Sequence, residues 1–116
     1  MTFRQATEAE CADFSIPFLP INWAVEYQGE VAAIFQAQPD GDDWLLVHAN
    51  AKRHTIHPKV LGDIARQFSD RLLELGAIGV RAEIADWNRA AIWLAKAAGY
   101  QEKGRSDGWV LLERKK

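Results

Sequence analysis

Residues 80–100 constrain the fold of this chain more than any other stretch. They predict a short strand, a tight polar turn and a helix that ends at Gly99. Asp86 or Asn88 can cap this helix, because short polar side chains accept hydrogen bonds from the first free amides. A glycine just past a helical pattern is typical of a C-terminus. The stretch therefore predicts a strand-to-helix unit of an α/β domain.

A longer helix precedes this unit at residues 58–75. Its apolar residues recur with the 3.6-residue period of an amphipathic helix, at positions 60, 61, 64, 65, 68, 72 and 75. Pro58 suits a first helical position, and Gly76 suits the terminator. The apolar run at 44–47 predicts a central strand covered on both faces. With the strand expected at 78–84, this order predicts a right-handed parallel crossover.

Alternation and turn residues predict the remaining elements. Gln28-Gly29 can supply the positive φ of a tight hairpin, and Thr7 with Glu10 has the spacing of a capping box. A loop at 17–20 contains two prolines, each of which removes an amide donor. The further predicted elements are strands at 2–6, 23–27, 31–38, 101–103 and 109–113, a short helix at 8–14, and a turn at 104–108.

Composition restricts the classes of function. The chain has 116 residues, enough for one domain with a proper core, and a net charge of −2. Its single Cys11 predicts no internal disulfide and no metal site. Basic residues are not spread widely enough for a nucleic-acid partner. No apolar run reaches the roughly 20 residues of a membrane span, and no signal-peptide pattern is present, so we expect a cytoplasmic protein.

Five residues of the 80–100 stretch resemble the late motif of the GCN5-related N-acetyltransferase (GNAT) superfamily. That motif places an asparagine after a strand, followed by alanine three residues on, leucine six on, glycine eleven on and an aromatic twelve on. The matching residues are Asn88, Ala91, Leu94, Gly99 and Tyr100. The resemblance extends over nearly the whole chain. It implies one α/β domain over residues 1–116, with a mixed, mostly antiparallel sheet, a central parallel pair and helices on both faces.

The resemblance also implies binding of acetyl-coenzyme A (acetyl-CoA). In the family, an Arg/Gln-x-x-Gly-x-Gly/Ala loop opens the long helix, and its backbone amides grip the pyrophosphate. Residues 57–62 occupy this place, where Gly62 fits, His57 stands for the arginine and Val60 for the first glycine. A helix N-terminus attracts anions whatever its side chains, although Pro58 removes one amide.

Further contacts to the cofactor are implied on both sides of this loop. Arg53, His57 and Lys59 belong to a basic cluster at 52–59 that can face the pyrophosphate, or can simply form a solvated surface loop. The pantetheine arm would lie along the strand at 45–50, beside Val47 and Ala49, where this strand splays from the strand at 80–84. Asn88 would face the cofactor, a role compatible with that of a plain helix cap.

Two residues are candidates for the catalytic base. His48 on the central strand and Glu83 on its expected neighbour both lie near the point where the strands separate. Histidine titrates near neutral pH most readily. A strand histidine is also commonly structural, and Glu83 can simply face water. Many family members supply the acid from a tyrosine seven residues after the asparagine, but here that residue is Ala95, and we expect Tyr100 in the core.

These residues lead to three hypotheses. The first is an N-acetyltransferase that uses acetyl-CoA to modify a primary amine of a small-molecule or protein acceptor, with a homodimer as an assembly. The second is a weak or inactive GNAT-fold module for binding or assembly, because the poor phosphate loop also resembles small GNAT-like proteins of phages and prophages. The third, a nucleic-acid binder, rests only on the cluster at 52–59.

Overall fold

Seven strands form one mixed sheet in the computed structural model, which describes residues 2–52 and 56–116. In chain order the elements are β1 (Thr2–Gln5), α1 (Glu8–Asp13), β2 (Ile21–Tyr27), β3 (Glu30–Pro39), β4 (Trp44–Ala51), α2 (Pro58–Glu74), β5 (Gly79–Ala85), α3 (Arg89–Ala97), β6 (Gln101–Ser106) and β7 (Trp109–Lys115). The strand order is β1-β2-β3-β4-β5-β7-β6, and the β4–β5 pair is parallel while its neighbours are antiparallel. The predicted mixed sheet with a central parallel pair is confirmed.

Helices cover both faces of the sheet, as predicted. Successive residues of β3 point to opposite sides. Ile34 packs into the small cluster around Cys11 of α1. Phe35 packs into the main core beneath α2 and α3, where its ring meets that of Phe68 edge-on at 5.6 Å between centroids. The core is therefore unequal, and most apolar contact lies on the face of α2 and α3.

The two central strands are paired over a short length only. The ladder between β4 and β5 joins Trp44 to Gly79, Leu45 to Val80 and Leu46 to Arg81. Beyond these three pairs, β4 continues along β3 to Ala51, and β5 continues along β7 to Ala85. The parting of the strands that the sequence predicted is confirmed. We call the space between the unpaired ends of β4 and β5 the gap.

The joined end of these strands is pinned by stacking and charge. The ring of Trp44 lies directly over Gly79, and the guanidinium carbon of Arg81 lies 4.3 Å from the ring centroid. Arg81 also pairs with Asp40 at 3.0 Å and with Glu113 of β7 at 3.4 Å. One guanidinium thus links the turn between β3 and β4 to β7.

Most local predictions are confirmed by the backbone. Gln28 and Gly29 have φ of 53° and 80° between β2 and β3, as a tight hairpin requires. Thr7 and Glu10 form the capping box at the start of α1. Gly76 follows the last turn of α2 with a φ of 116°.

Two predictions were wrong. β6 extends to Ser106, and the turn consists of Asp107 and Gly108 alone, with φ of 53° and 84°. An edge strand exposed along its whole length lacks the apolar alternation that would identify it. The run at 44–47 is half-buried rather than fully covered, because the apolar cluster around α1 contains no residue of β4.

No helix within the described ranges has the length and apolar character to cross a membrane.

The packing of Trp44 on Gly79 leads to a stability prediction. A Cβ added at Gly79 would lie 2.5 Å from the indole ring, so Gly79→Ala must displace the ring or the backbone. We expect a loss of about 1–3 kcal/mol in the free energy of unfolding, as for overpacked cores, measured by urea denaturation. Gly104→Ala is the control, since nothing lies within 4 Å of its added Cβ. Equal destabilisation by both variants would contradict this packing.

Candidate functional site

The backbone of β4 points alternately to β3 and to the gap. The Lys52 amide donates to the Ala32 carbonyl at 3.0 Å. Because hydrogen-bonded and non-hydrogen-bonded pairs alternate along an antiparallel ladder, His48 and Asn50 also direct their backbone groups to β3. The backbone N–H and C=O of Ala49 therefore face the gap.

The same argument applies to the other wall. The Asp86 amide donates to the Gly108 carbonyl at 2.8 Å, which fixes the phase of the β5–β7 ladder. The backbone groups of Glu83, three residues earlier, then point away from β7 and into the gap. Ala49 and Glu83 thus offer unpaired strand edges to a molecule that enters between them.

A cavity of about 100 Å³ lies beside the gap on the face of α2 and α3. Val47 and Ala49 form its wall on β4, while Ala82 and Ile84 form the opposing wall on β5. The rest of the lining comes from the helices and β3, with Phe35, Ala65, Phe68, Ser69, Ala91, Leu94, Ala95, Ala98 and Tyr100. The two predicted contacts on β4 are therefore placed where the strands separate, and their cofactor role stays a prediction.

Two buried hydroxyl groups lie at the inner end of this cavity. Ser69 Oγ and Tyr100 Oη are 2.8 Å apart, and the residues are 1% and 5% exposed. Burial raises the pKa of Tyr100 to about 12, and the hydrogen bond with Ser69 opposes this only in part. The phenol is therefore neutral at physiological pH. Tyr100 belongs to the core, as expected from the sequence.

The candidate bases lie on the opposite face of the sheet. His48 and Glu83 each follow the last β4–β5 pair, Leu46 and Arg81, by two residues, so both side chains emerge on the same face. Burial lowers the pKa of His48, and the charge of Glu83 raises it to a smaller extent. The imidazole is consequently neutral at physiological pH, with a carboxylate close enough to influence its charge.

A buried polar network that the sequence analysis missed lies beside His48. Gln36, the cross-strand neighbour of His48, donates to the Pro17 carbonyl at 2.6 Å and to Asn22 Oδ1 at 2.9 Å. Asn50 donates to Gln36 Oε1 at 3.3 Å. Both Gln36 and Asn22 are 2% exposed. Amide side chains within otherwise apolar strands were the available signal, and they hold the proline loop against the sheet.

The start of α2 differs from a plain anion site. His57 is the N-cap, and its Nδ1 accepts a hydrogen bond from the Lys59 amide at 3.2 Å. Pro58 has no amide proton, and the Leu61 amide donates to the His57 carbonyl. Among the described hydrogen bonds, Val60 is the first-turn residue whose amide has no acceptor. A ligand role for His57 and Lys59 stays a prediction.

The other predicted cofactor contacts have local structural roles or fall outside the described structure. A Cβ on Gly62 would lie 3.2 Å from Ala97 Cβ, so this glycine permits close packing of α2 on α3. Asn88 caps α3, where its Oδ1 accepts from the Ala91 amide at 3.2 Å. Arg53 lies outside the described residues.

Solved structures share this arrangement of strands and helices. The GNAT domain of S. lividans PAT has a TM-score of 0.72 at 22% identity, over 82% of this chain and 60% of that domain. A spermidine N-acetyltransferase chimera of Vibrio cholerae SpeG and hSSAT has a TM-score of 0.79 at 11% identity, over 99% and 96% of the two chains. The fold is that of the GNAT acetyltransferases.

One of the structures with a similar fold was solved with its ligands bound. The aminoglycoside acetyltransferase AAC(6')-Ib in complex with coenzyme A and kanamycin has a TM-score of 0.73 at 14% identity, over 98% of this chain and 94% of that enzyme. No known protein-family profile matches the sequence, and no curated protein resembling it in sequence was found. The looser resemblance to phage-encoded GNAT-like proteins stays a prediction.

Proposed function

We propose that this GNAT-fold chain transfers an acetyl group from acetyl-CoA to a primary amine of a small-molecule or protein acceptor. One observation carries the proposal. The gap between β4 and β5 has an apolar cavity on one face and the pair His48 and Glu83 on the other. An acyl donor bound on the helix side would therefore present its carbonyl to an amine that arrives from the α1 side.

The residues around the gap fit the thioester end of acetyl-CoA. The unpaired backbone groups of Ala49 and Glu83 match the amide groups of a pantetheine arm. At the pyrophosphate end, the Val60 amide and the exposed Lys59, both among the described residues, could contact the anion. Bound there, acetyl-CoA would supply an activated acyl thioester.

In the proposed reaction, His48 is the general base. Its neutral imidazole takes the proton that the amine loses as nitrogen bonds to the acyl carbon. The C–S bond breaks, and the sulfur leaves with its electron pair as a thiolate. The thiolate takes a proton from solvent and His48 returns its proton to solvent, so that the products are the free thiol and the new amide. Glu83 stabilises the imidazolium, because opposite charges across the gap attract.

A second function is favoured by the start of α2. The His57 cap, Pro58 and the packed Gly62 together leave few amides for a pyrophosphate. Such a first turn of α2, with few free amides, is expected in a GNAT-fold module that has weak affinity for the cofactor and is retained for binding or assembly. The two functions differ in whether acetyl-CoA binds at physiological concentrations.

Calorimetry with acetyl-CoA separates the two functions. For the enzyme we expect micromolar binding, with Lys59→Glu weakening it about fivefold through loss and reversal of one charge near the pyrophosphate. Lys103→Glu on the distant edge strand β6 is the matched control and should leave the affinity unchanged. Absence of a binding heat at millimolar acetyl-CoA would support the binding module and rule out the transferase function.

The environment of His48 leads to a pH prediction. Because burial holds its pKa below 6.5, kcat/KM should fall only at pH values below the ordinary histidine range. Glu83→Gln removes a charge that raises this pKa, so the acid limb should shift to still lower pH, whatever happens to the maximal rate. His48→Gln should reduce kcat/KM about 100-fold or more.

A thiol-release assay over a pH series, with a panel of primary amines, measures both effects. Glu30→Gln in the β2–β3 hairpin is the control for a general change of surface charge. An unshifted acid limb in Glu83→Gln, or full activity in His48→Gln, would rule out this base.

A further inference from the structure

We infer that the cavity beside the gap receives the acyl chain of the donor and that it suits chains of about three or four carbon atoms, so that propionyl- and butyryl-CoA bind better than acetyl-CoA. This inference rests on the proposed acyl transfer and widens its donor class. The observation that carries it is an apolar cavity beside the point where β4 and β5 part.

The volume of the cavity exceeds what an acetyl group needs. It measures about 100 Å³, and its lining includes the rings of Phe35 and Phe68 together with the strand residues Val47 and Ala82. An apolar cavity of about 150 Å³ holds a six-carbon benzene ring, so this one has room for about four carbon atoms. An acetyl group extends beyond its carbonyl carbon by one methyl group and would leave most of the space empty.

Small residues on one side of α3 create this space. Ala91, Ala95 and Ala98 recur at helical spacing and all line the cavity. Position 95 is where the family resemblance places a tyrosine, and a phenol ring there would occupy the volume that the alanine leaves open. The opposite helix contributes another small residue, Ala65.

The polarity of the lining restricts the chemistry of the chain. Ser69 and Tyr100 are the polar lining residues, and they already hydrogen-bond each other. The guanidinium of Arg114 is committed to Asp70 and to the Ala98 carbonyl, and no arginine or lysine lines the cavity among the described residues. A chain that ends in a carboxylate would be buried without a counter-ion, which is strongly unfavourable. The cavity therefore suits an uncharged, unbranched acyl group.

The experiment measures the dissociation constants of acetyl-, propionyl- and butyryl-CoA by calorimetry, so that no acceptor is needed. For the wild type we expect the dissociation constant to fall about fourfold with each added methylene group, since each group is buried in an apolar space. Ala95→Leu should fill the space and lower the preference for butyryl- over acetyl-CoA at least about tenfold.

Two further variants keep the test decisive. Ala90→Leu adds the same side chain on the exposed side of α3 and should preserve the wild-type order of donors. Ala91→Val adds less volume within the cavity and should also lower the preference for butyryl- over acetyl-CoA. It replaces Ala95→Leu in the test if that variant does not fold. Equal binding of the three donors, or acetyl-CoA binding best to the wild type, overturns the inference and leaves acetyl transfer intact. Absence of binding by every donor overturns both.

Discussion

The structure depends on a sheet that is joined at its centre by three residue pairs. The sheet has two antiparallel parts, β1-β2-β3-β4 and β5-β7-β6. In each part, the antiparallel ladder continues to the end of the central strand, β4 or β5. Within the described sheet, the parallel ladder between Trp44–Leu46 and Gly79–Arg81 joins them. The Trp44 ring over Gly79 and the ion pairs of Arg81 hold this contact together. Firm joining at one end allows the strands to diverge at the other without loss of the fold.

This divergence divides the site into two environments. On the side of α2 and α3, the gap opens into an apolar cavity. On the side of α1, it is bordered by His48 and Glu83, together with the Gln36 and Asn22 network that fixes the proline loop. Burial lowers the pKa of His48 and so keeps it able to accept a proton. The donor and acceptor would thus meet through the sheet, each in an environment suited to its chemistry.

The sequence predicted the architecture because its strongest patterns arise from burial. The period of α2, the Gln28-Gly29 hairpin and the terminal glycines all depend on local geometry that the chain itself specifies. The end of β6 could not be predicted, since a fully exposed strand such as 101–106 needs no apolar alternation. The predicted parting of β4 and β5 came from the family resemblance, because no single residue marks where a ladder stops.

The candidate site was predictable only in part for a related reason. Val47 and Ala49 were predicted from the family resemblance; both line the cavity beside the gap, and their role in cofactor binding stays a prediction. The role of His57 could not be decided, because a helix-cap histidine and an anion-binding histidine have the same sequence context, and here its Nδ1 accepts from the Lys59 amide. The Gln36 network and the Ser69–Tyr100 pair depend on residues far apart in the chain, which only the folded structure brings together.

Hydrogen exchange at the walls of the gap tests the central claim most directly. The amides of Ala49 and Glu83 face the gap, whereas those of His48 and Asn50 face β3. We predict that the first pair exchanges rapidly in the free protein and becomes protected by saturating acetyl-CoA, while the second pair is protected in both states. Protection of Ala49 and Glu83 without ligand, or no change when acetyl-CoA is added, would contradict the account.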